Sequence, residues 1–304
     1  MGNTFEFPLE ADLILKIQEL ITQWPFLKGL FIIMTQFGEP VFAVAVIALL
    51  YWGYKKEWGM HTLLCVMGTQ IINGMIKNSF LRLRPYMVNE SIKCLKAAES
   101  GYDIYDVVKQ GFSFPSGHAS CIASLVFGIY LYTRNKKLLY SLSPLIIFVG
   151  VSRFALGVHY PSDVIAGALI GILGSYLIDL CYRKMEKKDF YLCLCLLSFC
   201  GVFFCRSEDF YSVSGIAYGF ILGDLYENKY VHFENTTDIK KMILRGIFGG
   251  IIFLGLNQVL DLLSPLIPDT AGRLPLLYRS FRYCLSSFVT VGLYPHLFKN
   301  EFLK

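Results

Sequence analysis

The chain has 304 residues, of which 55% are hydrophobic, 15% aromatic and only 17% charged, and its formal net charge is +5. A soluble domain carries about a quarter charged residues, so this composition excludes an ordinary soluble protein and predicts an integral membrane protein. The charged residues stand in short groups between long apolar runs, as in a chain that crosses a bilayer several times.

The N-terminal segment from Leu9 to Ile21 alternates apolar and polar residues at helical spacing, which predicts an amphipathic helix on the membrane surface. Nine apolar runs follow, each close to the roughly 20 residues that a helix needs to cross a bilayer core of about 30 Å. The predicted fold is therefore all-α, a polytopic membrane helix bundle. The predicted spans cover residues 30–54, 59–80, 117–134, 139–157, 161–182, 189–205, 211–228, 241–263 and 281–298.

Basic residues are concentrated in the short loops of one side if successive spans alternate in direction. The groups on that side include Lys55/Lys56, Arg134/Lys136/Lys137 and Arg183/Lys184/Lys187/Lys188. Short basic loops face the cytoplasm. The C-terminus is therefore predicted to be cytoplasmic, and the N-terminus and the long polar loop 81–116 are predicted to face the periplasm, the cell exterior or an organelle lumen.

A first polar group follows the second predicted span and contains Lys77, Arg84 and Pro85. Seven residues are nearly two helical turns, so Lys77 and Arg84 would project from one face near the helix end. Pro85 suits the position after that end. Basic residues at a helix end also commonly extend to the membrane interface without a further role, so this group alone leaves both interpretations open.

A second polar group, Pro115 to His118, opens the third span. Ser116 is a candidate N-cap, and Gly117 lets a ligand approach the backbone closely. Free amides at a helix N-terminus bind anions, so His118 could stand beside a bound phosphate as an acid. A helix cap with an incidental histidine explains this group more simply when it is taken alone.

A third polar group joins Ser152 and Arg153, at the end of the fourth span, to His159 and Asp163, at the start of the fifth. Arg153 and His159 would lie on one side of the membrane, across a tight turn that ends at Pro161. Asp163 follows His159 by four residues and is placed to accept the proton on the ring nitrogen not used for attack. That contact would fix the tautomer and raise the nucleophilicity of the ring.

Together the three groups have the order K-x6-R-P, P-S-G-H and S-R-x5-H-x3-D, at helix ends that the predicted topology places on one face. This pattern resembles the type 2 phosphatidic acid phosphatase superfamily, and every signature position is present without substitution. The resemblance covers roughly residues 40–185. With it, the predicted organisation is an interfacial segment at 1–29, a phosphatase catalytic membrane core at 30–188 and additional C-terminal transmembrane helices at 189–304.

The resemblance implies a role for each matched residue. His159 would be the nucleophile that forms a phosphohistidine, oriented by Asp163, and His118 the general acid that protonates the leaving oxygen and then activates water. The phosphate oxygens would be bound by Lys77, Arg84, Arg153, Ser116 and the amide of Gly117. Opposite protonation states of the two histidines predict a bell-shaped pH profile.

Neither a metal nor another cofactor is expected. Phosphoryl transfer needs a nucleophile and fixed positive charge around the phosphate oxygens, and three cations can supply that charge. The nine cysteines form no metal-ligand pattern and no disulfide framework.

The resemblance implies a phosphorylated lipid as substrate, such as phosphatidate, phosphatidylglycerophosphate, an isoprenyl pyrophosphate or a sphingoid-base phosphate. The expected partners are membrane lipids and no nucleic acid, while the oligomeric state stays open. A sugar phosphate is the alternative substrate, because nine spans with an outer N-terminus resemble glucose-6-phosphatase. Vanadium haloperoxidases share the site but are soluble. A transporter or regulatory protein on a retired phosphatase scaffold would usually have lost a histidine or arginine of the signature.

Other features have structural interpretations. The glycine pairs Gly167/Gly171 and Gly246/Gly250 and the series Gly215/Gly219/Gly223 have small-xxx-small spacing, which predicts closely packed helices. The acidic residues Asp179, Asp224, Asp261 and Glu39 are predicted to be paired or to lie at the membrane interface.

Overall fold

The computed structural model describes residue 5 and residues 7–97, 101–268 and 272–299. Within those residues the chain is helical and has no β-strand. The start of the predicted interfacial segment and the predicted sides of both termini involve residues 1–4, 6 and 300–304, which lie outside the described residues.

Thirteen α-helices follow one another along the described chain. Short π or 3₁₀ segments at Leu49–Tyr54, Ser264–Leu266, Val289–Leu293 and Tyr294–Lys299 extend or connect them. The α-helices are α1 (Pro8–Gln23), α2 (Phe26–Gln36), α3 (Pro40–Ala48), α4 (Lys56–Phe80), α5 (Pro85–Val88), α6 (Val107–Gln110), α7 (Gly117–Thr133), α8 (Lys136–Ala155), α9 (Pro161–Lys184), α10 (Lys187–Val202), α11 (Glu208–Tyr230), α12 (Ile239–Asp261) and α13 (Leu274–Phe288).

The chain divides into two compact units. The first comprises residues up to Ala43 together with Ile72–Leu177, and the second comprises Val44–Ile71 together with the chain from Ile178 onwards. Each unit is therefore assembled from two separate stretches of sequence.

In the first unit, α8 packs against α7, α2 and α1. Helix α9 approaches α7 at two glycines one turn apart. A Cβ on Gly167 would collide with the carbonyl oxygen of Ser116, and a Cβ on Gly171 would lie 2.6 Å from the carbonyl oxygen of Ser120. The close packing predicted for Gly167 and Gly171 is confirmed.

In the second unit, α11 packs along α13, and α12 packs against the π segment after α3. A Cβ on Gly215 or Gly219 would collide with the backbone of α13, which confirms the predicted contact. For the pair in α12 the prediction was wrong in part, because a Cβ added at Gly250 would meet nothing within 4 Å, whereas Gly246 approaches Leu49.

Two acidic residues of the second unit are paired, as predicted. The carboxylate of Asp179 accepts a hydrogen bond from Arg183 Nε, at 2.8 Å, and lies 2.9 Å from Nε2 of His61. Asp224 accepts a hydrogen bond from the Tyr191 hydroxyl at 2.8 Å and forms an ion pair with Lys187. Both carboxylates are buried, and their pairing offsets the cost of desolvating the charges.

By length and composition, three described helices can cross a membrane, and a fourth span results if one bent pair counts as a single span. The three are Lys136–Ala155, Pro161–Lys184 and Ile239–Leu266, and the bent pair joins Phe26–Gln36 to Pro40–Tyr54. Nine spans are thus not confirmed. Helix α7 is apolar but has 17 residues, which extend about 25 Å at the usual rise.

The first predicted span, 30–54, is interrupted. Helices α2 and α3 meet at an angle of 48°, and Pro40 opens the second of them. A proline cannot donate the backbone hydrogen bond that would continue the preceding helix, and it restricts the residue before it. The bend places Glu39 in the break between the two helices.

Helix α1 occupies the segment predicted to be amphipathic. It buries Glu10, Ile14 and Gln18, while Leu9 and Leu13 are exposed. Ile14 belongs to an apolar cluster with Leu156, Val158, Tyr86, Ile92 and Tyr160. Two polar side chains of α1, Glu10 and Gln18, thus face the protein, and the location of the helix on a membrane surface stays a prediction.

Candidate active site

All eight residues predicted for the site lie in the first unit, at or beside the ends of helices. Because helix ends leave backbone groups unpaired, they suit the binding of a charged ligand. Lys77 is in the last turn of α4, Arg84 caps α5, Ser116 caps α7, Gly117 and His118 begin α7, Arg153 is in the last turn of α8, His159 lies in the turn before α9, and Asp163 is in the first turn of α9.

His159 is almost completely buried, with 1% of its surface exposed. Burial is the largest cause that lowers its pKa well below 6.5, and the positive charges of Arg84, Arg153 and Lys77 lower the pKa further, with a smaller effect from His118. The ring is therefore neutral at ordinary pH, as a nucleophile must be. The same three cations that act on the ring are those predicted to bind phosphate.

The carboxylate of Asp163 lies behind the imidazole of His159. Its Oδ2 is 3.6 Å from Nδ1 of His159, which is longer than a hydrogen bond. The hydroxyl of Ser113 lies 3.4 Å from the same nitrogen and donates to Oδ2 at 2.5 Å. The backbone N–H of Tyr160 donates to Oδ2 at 2.7 Å. The structure thus places Ser113 between the two predicted partners, a residue that sequence reasoning did not identify.

The turn that carries His159 depends on Gly157. This residue has φ +79°, and a Cβ there would collide with the carbonyl oxygen of Lys93. Only glycine adopts that conformation at low cost. The side chain of Gln18 in α1 holds Lys93 at both of its backbone groups, at 2.8 Å and 2.9 Å, so α1 and the loop after α5 support this turn.

Arg84 is held by backbone carbonyl groups. Its Nε donates to the carbonyl oxygens of Gln110 and Gly111 at 3.1 Å and 3.0 Å, and Nη1 donates to that of Val158 at 3.0 Å. The acceptors lie at the end of α6, in the residue that follows it, and in the turn that carries His159. These bonds fix the guanidinium beside His159, the candidate nucleophile.

Arg153 is also buried, with 2% of its surface exposed. Its Nη1 donates to the hydroxyl of Thr35, near the end of α2, at 2.8 Å, while its Nε has no hydrogen-bond partner among the described residues. A buried guanidinium nitrogen without a partner is costly, and a phosphate oxygen would satisfy it.

Ser116 serves as the N-cap of α7, as predicted. Its hydroxyl accepts from the N–H of Ala119 at 3.5 Å, and its own N–H donates to the carbonyl oxygen of Asp163 at 2.9 Å. The second contact joins the start of α7 to the start of α9. The end of α7 that is predicted to bind an anion therefore lies next to Asp163.

His118 has a carboxylate beside it that sequence reasoning did not assign to the site. Nε2 of His118 lies 3.2 Å from Oε1 of Glu39, and Nζ of Lys96 donates to the same oxygen at 2.9 Å. The side chains of His118, Glu39 and Lys96 are 19%, 31% and 25% exposed, respectively. Glu39 is therefore paired, as predicted, and one of its partners is His118, the candidate general acid. All three side chains are more exposed than that of His159.

Sequence patterns also did not assign a fully buried arginine, Arg82, to the site. Arg82 lies two residues before Arg84, and its guanidinium bonds to Asp163, Ser162 and Glu10. The sequence shows the arginine, but its partners lie 72 to 81 residues away, and no local spacing reveals them.

The arrangement can bind and transfer a phosphoryl group. A neutral, buried imidazole lies close enough to three cations for them to lower its pKa, and a second imidazole, that of His118, is partly exposed at the start of α7. Fixed positive charge of this kind stabilises the oxygens of a phosphoryl group in its transition state.

Comparison with known proteins places the chain in a family. The model of the PAP2 superfamily matches residues 58–187, and that of the PAP2 superfamily phosphatase transmembrane extension matches residues 211–304. Phosphatidylglycerophosphatase B of Bacillus subtilis is 30% identical over 192 residues, covering 58% of this chain and 86% of the relative. No solved structure gives a significant match.

Two further relatives have names that describe them as phosphatases. Lipid A 1-phosphatase of Porphyromonas gingivalis is 28% identical over 155 residues, which are 46% of this chain and 30% of the relative. Undecaprenyl-diphosphatase of Sulfolobus acidocaldarius is 26% identical over 153 residues, which are 50% of this chain and 68% of the relative. With two family models matched in succession and a relative matched over most of its length, the chain belongs to the PAP2 superfamily and is a membrane phosphatase.

Proposed function

We propose that this protein hydrolyses a phosphate monoester or diphosphate of a membrane lipid through a phosphohistidine intermediate on His159. His118 protonates the leaving oxygen and then activates the water that releases phosphate. Lys77, Arg84 and Arg153 bind the phosphate oxygens together with Ser116 and the amide of Gly117. The reaction needs no metal, because these cations stabilise the charge of the transition state.

The observation that carries the proposal is the state of His159. Burial and three neighbouring cations lower its pKa well below 6.5, which keeps an electron pair available for attack. A cluster of cations around a neutral imidazole attracts an anionic ligand and repels any further positive charge. A phosphate dianion is a ligand of that kind.

A lipid substrate is supported by the relatives, whose names refer to phosphatidylglycerophosphate, lipid A and undecaprenyl diphosphate. The helix-end position of the site also supports lateral entry of a lipid from the bilayer. No comparable observation favours the sugar phosphate alternative.

The proposed topology keeps about nine spans, with the helix ends around His159 on the extracytoplasmic side and the C-terminus in the cytoplasm. The concentration of basic residues in the loops between α7 and α8 and between α9 and α10 supports this orientation. The proposed domain organisation is the interfacial segment 1–29, the catalytic core 30–188 and the additional helices 189–304.

The test is phosphate release by the purified full chain in detergent, with chelator present, from a panel of lipid phosphates, lipid diphosphates and sugar phosphates. We expect release from at least one lipid, none from His159→Ala, and inhibition by vanadate. With an aryl phosphate, whose leaving group needs no proton from His118, a labelled phosphoryl group should accumulate on His118→Ala, because the second step lacks its base. Turnover by His159→Ala would refute the nucleophile, and release from sugar phosphates alone would refute the lipid assignment.

A further inference from the structure

We propose that Glu10 and Arg82 are positioning residues, which hold the carboxylate of Asp163 in place behind His159. This inference rests on the proposed phosphohistidine function and adds to it two residues outside the signature positions. Glu10 lies in α1, well before the part of the chain that the PAP2 model matches.

The guanidinium of Arg82 joins two carboxylates. Its Nη1 donates to Oδ1 of Asp163 at 2.6 Å and to the hydroxyl of Ser162 at 2.7 Å, and its Nη2 donates to Oε2 of Glu10 at 2.8 Å. The side chain of Arg82 is 0% exposed. Because a guanidinium is planar and rigid, binding at its two terminal nitrogens fixes the two carboxylates relative to each other.

Aromatic rings fix the plane of this guanidinium. Its central carbon lies 3.8 Å from the ring centroid of Tyr160 and 4.2 Å from that of Phe5. Stacking of this kind stabilises a cation and limits its rotation. Arg82 is therefore held by aromatic rings as well as at both terminal nitrogens.

Glu10 also binds the helix that carries Asp163. Its Oε1 accepts from the backbone N–H of Ser162, in the first turn of α9, at 2.6 Å. A carboxylate at a helix N-terminus is favourable, because the first N–H groups have no partner within the helix. Helix α1 thus contacts the start of α9 directly through Glu10 and indirectly through Arg82.

The consequence concerns the second oxygen of Asp163. With Oδ1 bound by Arg82, Oδ2 is left to face Ser113 and the Nδ1 side of His159. Glu10 balances the charge of Arg82, so the negative charge of Asp163 remains effective toward the ring. A loosened carboxylate would misplace the nucleophile and leave the three phosphate-binding cations untouched.

The test compares Glu10→Gln and Arg82→Lys with the matched control Glu19→Gln, which makes the same change at an exposed position of α1. The full chain in detergent is assayed for kcat, KM and inhibition constants of inorganic phosphate and vanadate. Phosphate binds to the three cations, Ser116 and the amide of Gly117 without a bond to His159, whereas vanadate mimics the transition state by also bonding to the nucleophile. The unfolding temperature shows whether each variant is folded.

For Glu10→Gln we expect kcat and vanadate affinity to fall about tenfold, since small displacements of reacting groups cost this much or more. KM and phosphate affinity should stay within about twofold, as for loss of an interaction made only in the transition state. Arg82→Lys should resemble Glu10→Gln, because lysine keeps the positive charge but lacks the two terminal nitrogens that bind both carboxylates. Glu19→Gln should match the wild type.

Unchanged kcat and vanadate affinity in Glu10→Gln would overturn the inference. A parallel loss of phosphate affinity would also overturn it, because the whole site would then be distorted. The assay with His159→Ala separates this result from failure of the proposed function. If that variant keeps its turnover, the assignment of His159 as the nucleophile is wrong. The ratio of vanadate affinity to phosphate affinity needs no turnover, and it tests the positioning of His159 separately.

Discussion

At the scale of single residues, the low pKa of His159 has consequences for both activity and stability. Burial, Arg84, Arg153 and Lys77 all disfavour the protonated ring. The neutral form of the ring, which the proposed mechanism requires for attack on phosphorus, is therefore retained as the pH falls through 6.5, the ordinary pKa of histidine. The acid limb that His159 contributes to kcat/KM should accordingly lie below that value.

The same shift predicts a loss of stability in acid. Below pH 6.5 the unfolded chain takes up a proton at His159 that the folded protein does not, so the free energy of unfolding decreases as the pH falls. We expect the unfolding temperature to drop more for the wild type than for His159→Gln between about pH 7 and about pH 5. Thermal unfolding in detergent measures this, and equal slopes would contradict the prediction.

The proximity of His159 and Asp163 could be predicted from the sequence, because they are four positions apart, within one turn and the start of the helix that follows it. The place of Ser113 could not be predicted, although its hydroxyl bonds to Asp163, because the two residues are 50 positions apart and only the fold brings them together. The direct His159–Asp163 bond expected from spacing is instead a 3.6 Å separation. Sequence spacing places backbones near each other, whereas side-chain partners depend on tertiary packing.

At the scale of helices, the contact between α9 and α7 links helix packing to the proposed phosphate site. A Cβ at Gly167 would collide with the carbonyl oxygen of Ser116, the cap of α7. We expect Gly167→Ala to destabilise the protein by about 1–3 kcal/mol, as overpacking does, and to weaken phosphate inhibition. Unfolding and inhibition assays measure both effects.

The matched control is Gly250→Ala in α12, another helical glycine, where an added Cβ would meet nothing within 4 Å. Alanine favours a helix over glycine by up to about 1 kcal/mol, so this variant should be neutral or slightly more stable. If Gly167→Ala behaved in the same way as Gly250→Ala, the α7–α9 contact would not position Ser116.

Hydropathy located the helices because it is a local property, but it could not locate their interruptions. The run 30–54 is uniformly apolar apart from a few positions, and only Pro40 indicates the 48° bend that brings Glu39 into contact with His118. Likewise, α4 buries the polar residues His61 and Asn73 in the protein interior. These residues lower the hydropathy of the helix although they are not exposed.

At the scale of the whole molecule, the proposed orientation can be tested with introduced cysteines. Ser91 and Lys136 are exposed, in the loop after α5 and at the start of α8. In a variant lacking reactive native cysteines, we expect a membrane-impermeant maleimide to label Ser91→Cys in sealed right-side-out vesicles. Lys136→Cys should react only after permeabilisation. Labelling of both, or of Lys136→Cys alone, in sealed vesicles would contradict the orientation.

The hydrogen bond from Arg153 to the hydroxyl of Thr35 limits how far this enzyme can be shortened. Thr35 and Glu10 both precede residues 58–187, so an excised fragment matching the recognisable motif would remove the hydroxyl that Arg153 binds and one of the two carboxylates that Arg82 binds. Removing one partner of a buried ion pair costs about 3–5 kcal/mol, a large part of the stability of a folded domain. A working miniature of this phosphatase must therefore keep its first two helices.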